Sequence, residues 1–185
     1  MGGHLRNVLG ALGLAVADML TKDAEAHGLG PGEHAALIIV ATFDGLSQED
    51  LQRRVGLSQP GATRLVDRLA ARGLVRRTPG PDRRTWALRL TTAGEREARE
   101  AVTRRHELLA SLTARLTVDE QRQAAVLTGR LLDAMVAAGQ SPWRICRQCD
   151  QEACEEDEFT CPVEAAHRNL QPQPTQHSPQ PDTQP

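Results

Sequence analysis

Residues 56–95 read GLSQPGATRLVDRLAARGLVRRTPGPDRRTWALRLTTAGE, and this segment carries the strongest structural signal in the chain. From Ser58 to Arg72 the apolar residues recur at helical spacing. After Gly73 the pattern becomes extended: LVRRT, the turn-forming PGPD, then RRTWALRLT, in which Trp86, Leu88 and Leu90 share one side. The segment therefore predicts a helix followed by a β-hairpin with a basic tip.

A second short helix precedes this segment. Residues 47–55 have helical spacing and begin at Ser47, with Asp50 at the distance typical of a capping box. Gly56 and Leu57 alone separate this helix from Ser58. Two short helices joined by a tight turn and followed by a basic hairpin make a winged helix-turn-helix. Each element alone is compatible with a purely structural helical hairpin or a solvated face, but their order favours DNA binding.

The candidate DNA contacts lie at the start of the second helix and at the hairpin tip. Small or hydrogen-bonding side chains at the helix start can approach base edges in the major groove. Arginines one turn apart can reach a guanine or a phosphate, and the hairpin tip can reach the minor groove or the backbone. These candidates are Ser58, Gln59, Gly61, Thr63, Arg64, Arg68, Asp82, Arg83 and Arg84. Charge agrees, because residues 51–89 contain ten Arg against two Asp.

The composition describes the rest of the chain. Of 185 residues, 39% are hydrophobic and 25% charged, which excludes a polytopic membrane protein. With two Trp, two Phe and no Tyr, the core is built from Leu, Val, Ile and Ala, which favours helices. Further helices are predicted at 3–29, 33–43, 92–116 and 118–138, with Pro142 ending the helical part. We expect a mainly α protein with a small β-wing.

Residues 56–95 resemble the recognition helix, wing and following helix of the MarR family of bacterial transcriptional regulators. The helix order extends the resemblance over residues 3 to about 138. It implies a six-helix architecture and a two-fold dimer formed by the N-terminal helix and the last two long helices. Asp82 and Arg84 match the family's Asp-x-Arg wing motif, which implies that Asp82 orients an arginine and Arg84 enters the minor groove.

The expected function is sequence-specific transcriptional regulation, most simply repression, by a homodimer on an inverted-repeat operator in double-stranded DNA. The resemblance also implies a small-molecule effector. His34 and His106 are candidates for lining its cleft, although lone helical histidines more often lie on the surface or in the core.

No HExxH, P-loop or dinucleotide motif is present, so we do not expect an enzyme. The location is expected to be cytoplasmic, without membrane association.

The resemblance and the composition predict an organisation in three parts. Residues 1–140 form the DNA-binding and dimerisation domain, residues 143–168 the cysteine segment, and residues 169–185 a disordered Pro- and Gln-rich tail. Within the first part, the DNA-binding lobe spans about 33–91 and the dimer helices about 3–29 and 92–138.

The cysteine segment departs from the MarR pattern. It contains all four cysteines, Cys146, Cys149, Cys154 and Cys161, in the spacing C-x2-C-x4-C-x6-C. In a reducing compartment this pattern favours a metal site over two disulfides. Zn(II) and an iron–sulfur cluster both accept four thiolates, and the residues favour neither. Reduced structural thiols or a reversible thiol switch are alternatives, as is a redox or metal sensor that acts mainly through a protein partner.

Overall fold

The computed structural model describes residues 2–80, 86–150, 153–154 and 161–170. The predicted mainly helical fold with one small antiparallel sheet is confirmed. The elements in chain order are α1 (Gly2–Ala26), α2 (Pro31–Thr42), α3 (Gln48–Val55), α4 (Gln59–Ala71), β1 (Val75–Pro79), β2 (Trp86–Leu90), α5 (Thr92–Thr113), α6 (Val118–Ala137), α7 (Pro142–Ile145) and α8 (Pro162–Leu170).

Helices α3 and α4 form the predicted helix-turn-helix. The hydroxyl of Ser47 accepts a hydrogen bond from the Asp50 N–H at 3.0 Å, and that of Ser58 accepts one from the Gly61 N–H at 3.3 Å. These caps satisfy donors that the first helical turns leave free. Between the helices, Gly56 has a φ of 77°, a left-handed conformation that glycine adopts without steric cost.

Strands β1 and β2 pair antiparallel, from Val75 opposite Leu90 to Pro79 opposite Trp86. Leu88 is buried as the alternation predicts, but Trp86, the first residue of β2 and opposite Pro79, is 59% exposed. Ala87 is buried instead, because Ser47 forms a bridge to it from outside the hairpin. The strand is therefore covered on both faces at its middle.

Helix α2 lies at the centre of the main core, which joins the helix-turn-helix lobe (α2 to β2) to the start of α5. Twelve of the buried side chains are Leu, Ile or Val from α2, α3, α4, the hairpin and the connections next to them. Helix α5 approaches β1 closely: a Cβ built on Gly94 would lie 1.9 Å from the carbonyl oxygen of Leu74. Only glycine fits at this position.

The structure corrects three predicted boundaries. Helix α1 ends at Ala26 rather than residue 29, and Gly28 follows in a left-handed conformation. The prediction that Pro142 ends the helical part is wrong, because α7 begins there, and a proline in the first turn loses no intrahelical hydrogen bond. Helix α8 extends to Leu170, so two residues assigned to the tail are helical. Residues 171–185 lie outside the described residues.

Large apolar side chains are exposed along α1, α5 and α6. They are Leu5, Val8, Leu9, Leu12, Leu14, Leu112, Leu116, Val118, Val126, Leu127, Leu131 and Met135. No helix in the described parts of the chain has the length and apolar content needed to cross a membrane.

Candidate nucleic-acid interface and cysteine segment

The start of α4 has the properties that a groove-entering helix requires. Ser58 and Gln59 are exposed, while the following apolar residues Leu65 and Val66 are buried beneath them. A Cβ at Gly61 would lie 3.2 Å from the capping hydroxyl of Ser58, so that a larger side chain would have to displace this hydroxyl by a few tenths of an ångström. The first turn of α4 therefore offers its surface to a partner while the rest of the helix is fixed by the core.

Helix α3 orients one predicted contact residue. The Gln48 amide donates a hydrogen bond to the Thr63 hydroxyl at 2.9 Å, and this hydroxyl in turn donates to the Gln59 carbonyl at 3.1 Å. Sequence reasoning missed Gln48, because the two residues lie on different helices. It also missed Arg77 of β1, whose guanidinium lies 2.7 Å from Asp67 on the outer side of α4. These contacts connect α3, α4 and the hairpin into one surface.

The two arginines predicted on α4 differ in their surroundings. Arg64 is exposed and forms no ion pair within the described parts of the chain. Arg68 instead donates from Nε to the Glu33 carboxylate at 2.6 Å, which ties α4 to α2. Burial by itself raises the pKa of Glu33, but hydrogen bonds from Arg68 and the Gly30 N–H, with the charges of Arg68 and Arg72, lower it overall. Its carboxylate is therefore the favoured form.

Asp82, Arg83 and Arg84 lie outside the described residues. The hairpin on either side of them is formed, and β1 contributes two arginines, Arg76 and Arg77, to the basic surface. The predicted wing contacts stay predictions.

The two histidines considered for an effector cleft differ in their surroundings. His34 is only 2% exposed, and its pKa is lowered, chiefly because burial disfavours the charged ring. Its Nε2 has no hydrogen-bond partner among the residues that the structure describes. His106 of α5 instead lies 3.5 Å from Asp150, and so connects α5 to the cysteine segment.

The four cysteines gather around one mainly apolar cavity of about 440 Å³. All four are partly buried, and the Cys149 and Cys154 sulfurs lie 3.4 Å apart. A hydrogen bond from the Cys149 thiol lowers the pKa of Cys146, whereas burial and Cys149 together raise the pKa of Cys154 to about 11. Within the described ranges, no three His, Cys, Asp or Glu side chains stand close enough to hold a metal ion without rearrangement.

The cysteine segment is anchored at two places. On one side, α8 packs on α6 through Val136, Val163 and Ala166. On the other, Trp143 of α7 packs beside Phe43, with ring centroids 6.4 Å apart. The Arg54 guanidinium of α3 lies 3.8 Å from the Phe43 centroid and 3.9 Å from that of Trp143. The segment thus spans from α6 to the helix-turn-helix.

Two capped short helices at a tight turn, an exposed helix start and a basic antiparallel hairpin together define a winged helix-turn-helix DNA-binding protein.

A model of the MarR family matches residues 27–85, and the protein is a MarR-family winged-helix transcription regulator. It is 28% identical over 127 residues to the HTH-type transcriptional repressor MdtR of Bacillus subtilis, covering 68% of this chain and 82% of that protein. It is 31% identical over 117 residues to the transcriptional repressor MprA of Escherichia coli, covering 62% and 66%. Because members of this family are transcription regulators, the expectation that the protein is not an enzyme is confirmed.

Solved structures show the same fold. The YusO protein of Bacillus subtilis superposes with a TM-score of 0.62 at 26% identity, covering 71% of this chain and 94% of that one. A MarR family protein of Bacillus stearothermophilus gives a TM-score of 0.65 at 22% identity, covering 72% and 94%. Both matches leave about a quarter of this chain uncovered, and the cysteine segment is not tested by them.

Proposed function

We propose that the protein is a homodimeric transcriptional repressor that binds an inverted-repeat operator through α4 and the wing. The observation that carries the proposal is the capped, exposed start of α4, with Arg64 beside a basic hairpin. The exposed apolar side chains of α1, α5 and α6 support a dimer, because a patch of this size is costly in water. A two-fold dimer presents two copies of α4, so the half-sites are inverted and about 34–36 Å apart.

Fluorescence anisotropy on an inverted-repeat duplex, selected in vitro with the wild-type protein, tests the proposal. Arg64→Ala is expected to weaken operator binding by about 1–3 kcal/mol and to reduce the preference for one base at the operator position that the Arg64 side chain contacts. Arg84→Ala should weaken binding at the minor groove. Arg122→Ala is the matched control, because Arg122 is an exposed arginine on α6. Wild-type affinity in both test variants would contradict the assignment of the interface.

A small-molecule effector is part of this proposal. An open cleft of about 870 Å³ lies between α2, β2 and α5, and Arg76, Arg89 and Arg99 are among its lining residues. Asp44, Glu95 and Asp150 line the cleft as well, and Arg89 pairs with Asp44, whereas Arg76 and Arg99 form no ion pair within the described residues. These two arginines favour an anionic ligand. Isothermal titration with benzoate as a simple anionic probe tests this, and loss of the heat signal in Arg99→Ala would locate the ligand there. Undiminished binding by that variant would place it elsewhere.

We infer further that the cysteine segment holds a metal centre, either Zn(II) or an iron–sulfur cluster. All four thiols line one cavity, and the 3.4 Å between Cys149 and Cys154 is near the roughly 3.8 Å edge of a tetrahedron with Zn–S bonds of about 2.3 Å. The thiols would have to rearrange to complete the ligand set. A bound metal would stabilise a segment that has only a small apolar cluster of its own.

Elemental analysis of protein purified without oxygen or added metal decides between the candidates. Zinc near one per chain indicates a structural centre, and iron near two to four per chain indicates a cluster. Cys161→Ser should lower the metal content in either case. Absence of both metals would contradict the metal centre and favour a reversible disulfide between Cys149 and Cys154.

A further inference from the structure

Helix α7 places an arginine against the turn of the helix-turn-helix. The Arg144 side chain packs so closely on Gly56 that a Cβ built there would lie 2.7 Å from its Nε and 2.9 Å from its Cδ. Gly56 precedes the capping residue Ser58 by two positions. The chain can cover only about 7 Å over that distance, so Arg144 lies at the edge of the surface that begins at Ser58.

The neighbouring Trp143 holds α7 in this position. Its ring and that of Phe43 flank the Arg54 guanidinium, which lies within 3.9 Å of both centroids. Burial lowers the pKa of Arg54, as expected for a cation partly removed from water. Contacts of this kind between a cation and aromatic faces are favourable, more so when water is displaced. The position of Arg144 therefore depends on a packed contact rather than on a free side chain.

The charge around Arg144 suits a polyanion. Arg144 is exposed, and no acidic side chain of the described residues forms an ion pair with it. Arg64 on α4 is a further exposed arginine without an ion pair in the described ranges, whereas Arg53 on α3 is already paired with Glu49 and Asp50. The Arg147 guanidinium donates a hydrogen bond to the Arg144 carbonyl at 2.5 Å, so a second cation lies beside it. A phosphate would supply a negative charge next to Arg144 and accept hydrogen bonds from the N–H groups of its guanidinium.

We propose that α7 is part of the operator-binding surface, and that Arg144 binds a phosphate of the DNA backbone at the edge of the groove that α4 enters. This assignment rests on the proposed function. It adds a contact from outside the helix-turn-helix and the wing. Since α7 runs directly into Cys146, the cysteine segment keeps this contact in place.

The salt dependence of operator binding by the full-length protein tests the contact. Each phosphate contact steepens the plot of log affinity against log salt concentration by about one unit, so a dimer lacking two contacts should lose about two. Arg144→Ala should show this loss, and should weaken operator and unrelated duplex DNA by the same factor. Arg144→Lys should keep most of the slope. Arg122→Ala, which removes the same charge from an exposed position on α6, should leave the slope unchanged.

The outcomes separate this proposal from the proposed function. Failure of the wild-type protein to prefer any selected duplex would overturn operator binding itself. Operator binding with an identical salt slope in Arg144→Ala and Arg122→Ala would overturn only the phosphate contact. A loss confined to the operator, with unrelated DNA unaffected, would mean that Arg144 reads a base and would also overturn it.

A second variant tests the role of the cysteine segment. Cys146→Ser is expected to reduce the salt slope as Arg144→Ala does, and the double variant should lose no more than either single variant. Additive losses, or a wild-type slope in Cys146→Ser, would overturn the dependence on the cysteines. Circular dichroism and the elution volume of each variant show whether its helices and its association state are retained.

Discussion

The helix-turn-helix lobe and the cysteine segment are stabilised in different ways. The lobe, with the start of α5, has a core of 14 buried apolar residues. Ser47 and Ser58 cap α3 and α4. The cysteine segment and α6 share a cluster of only three buried residues, with four thiols beside a cavity. The comparison shows that apolar burial fixes the lobe, whereas the described part of the cysteine segment is held by a few contacts.

Deleting buried volume in each region should give the largest difference. Leu69 is fully buried in α4, so Leu69→Ala should lower the free energy of unfolding by about 2–5 kcal/mol in urea titration. Val163→Ala removes less apolar surface from a smaller cluster and should cost about 1–2 kcal/mol. Equal losses would show that the smaller cluster stabilises the fold as much per side chain as the main core does, and would break the comparison.

Removing one carboxylate from each region should have a smaller effect. Glu33→Gln removes the ion pairs with Arg68 and Arg72 and should lower the free energy of unfolding by about 1–2 kcal/mol near neutral pH. Because the pKa of Glu33 is lowered in the fold, this stabilisation is present above the ordinary value of 4.5 and is lost as pH falls through the folded value. Glu164→Gln on α8 removes an exposed partner of Arg168 and should cost less than about 0.5 kcal/mol. If the free energy of unfolding depended on pH in the same way in both variants, the difference between the two carboxylates would be refuted.

Histidine titration should give the smallest effect. His34 is buried among Asp23, Arg104 and Arg105, and its pKa is lowered, so its contribution is fully present above the ordinary value of 6.5 and is lost as pH falls below it. His34→Leu should reduce the slope of stability against pH there by up to about 1.4 kcal/mol per pH unit. Unfolding curves of the wild-type protein and of His34→Leu between pH 5 and 7 measure this slope, and an unaltered slope in His34→Leu would contradict the assignment.

The helix-turn-helix could be predicted because its signals are local. Ser47, Gly56 and Ser58 act within a few residues of their own positions, through caps and one left-handed turn. The Arg68–Glu33 ion pair joins residues 35 positions apart, and no local pattern encodes it. For the same reason the packing of Trp143 on Arg54 could not be foreseen. The helices after Pro142 were missed because proline was interpreted as a stop, whereas at the first turn it is compatible with a start.

The close approach of Gly94 to Leu74 has a mechanical consequence. It makes the beginning of α5 a fixed pivot on the hairpin, because any sliding there would drive backbone into backbone. The 22 residues of α5 extend about 33 Å from that pivot. A tilt of about 10° at Gly94 would therefore displace the far end of the helix by about 6 Å, close to the length of one helical turn. A small rotation of the helix-turn-helix lobe would therefore produce a larger displacement at the C-terminal end of α5.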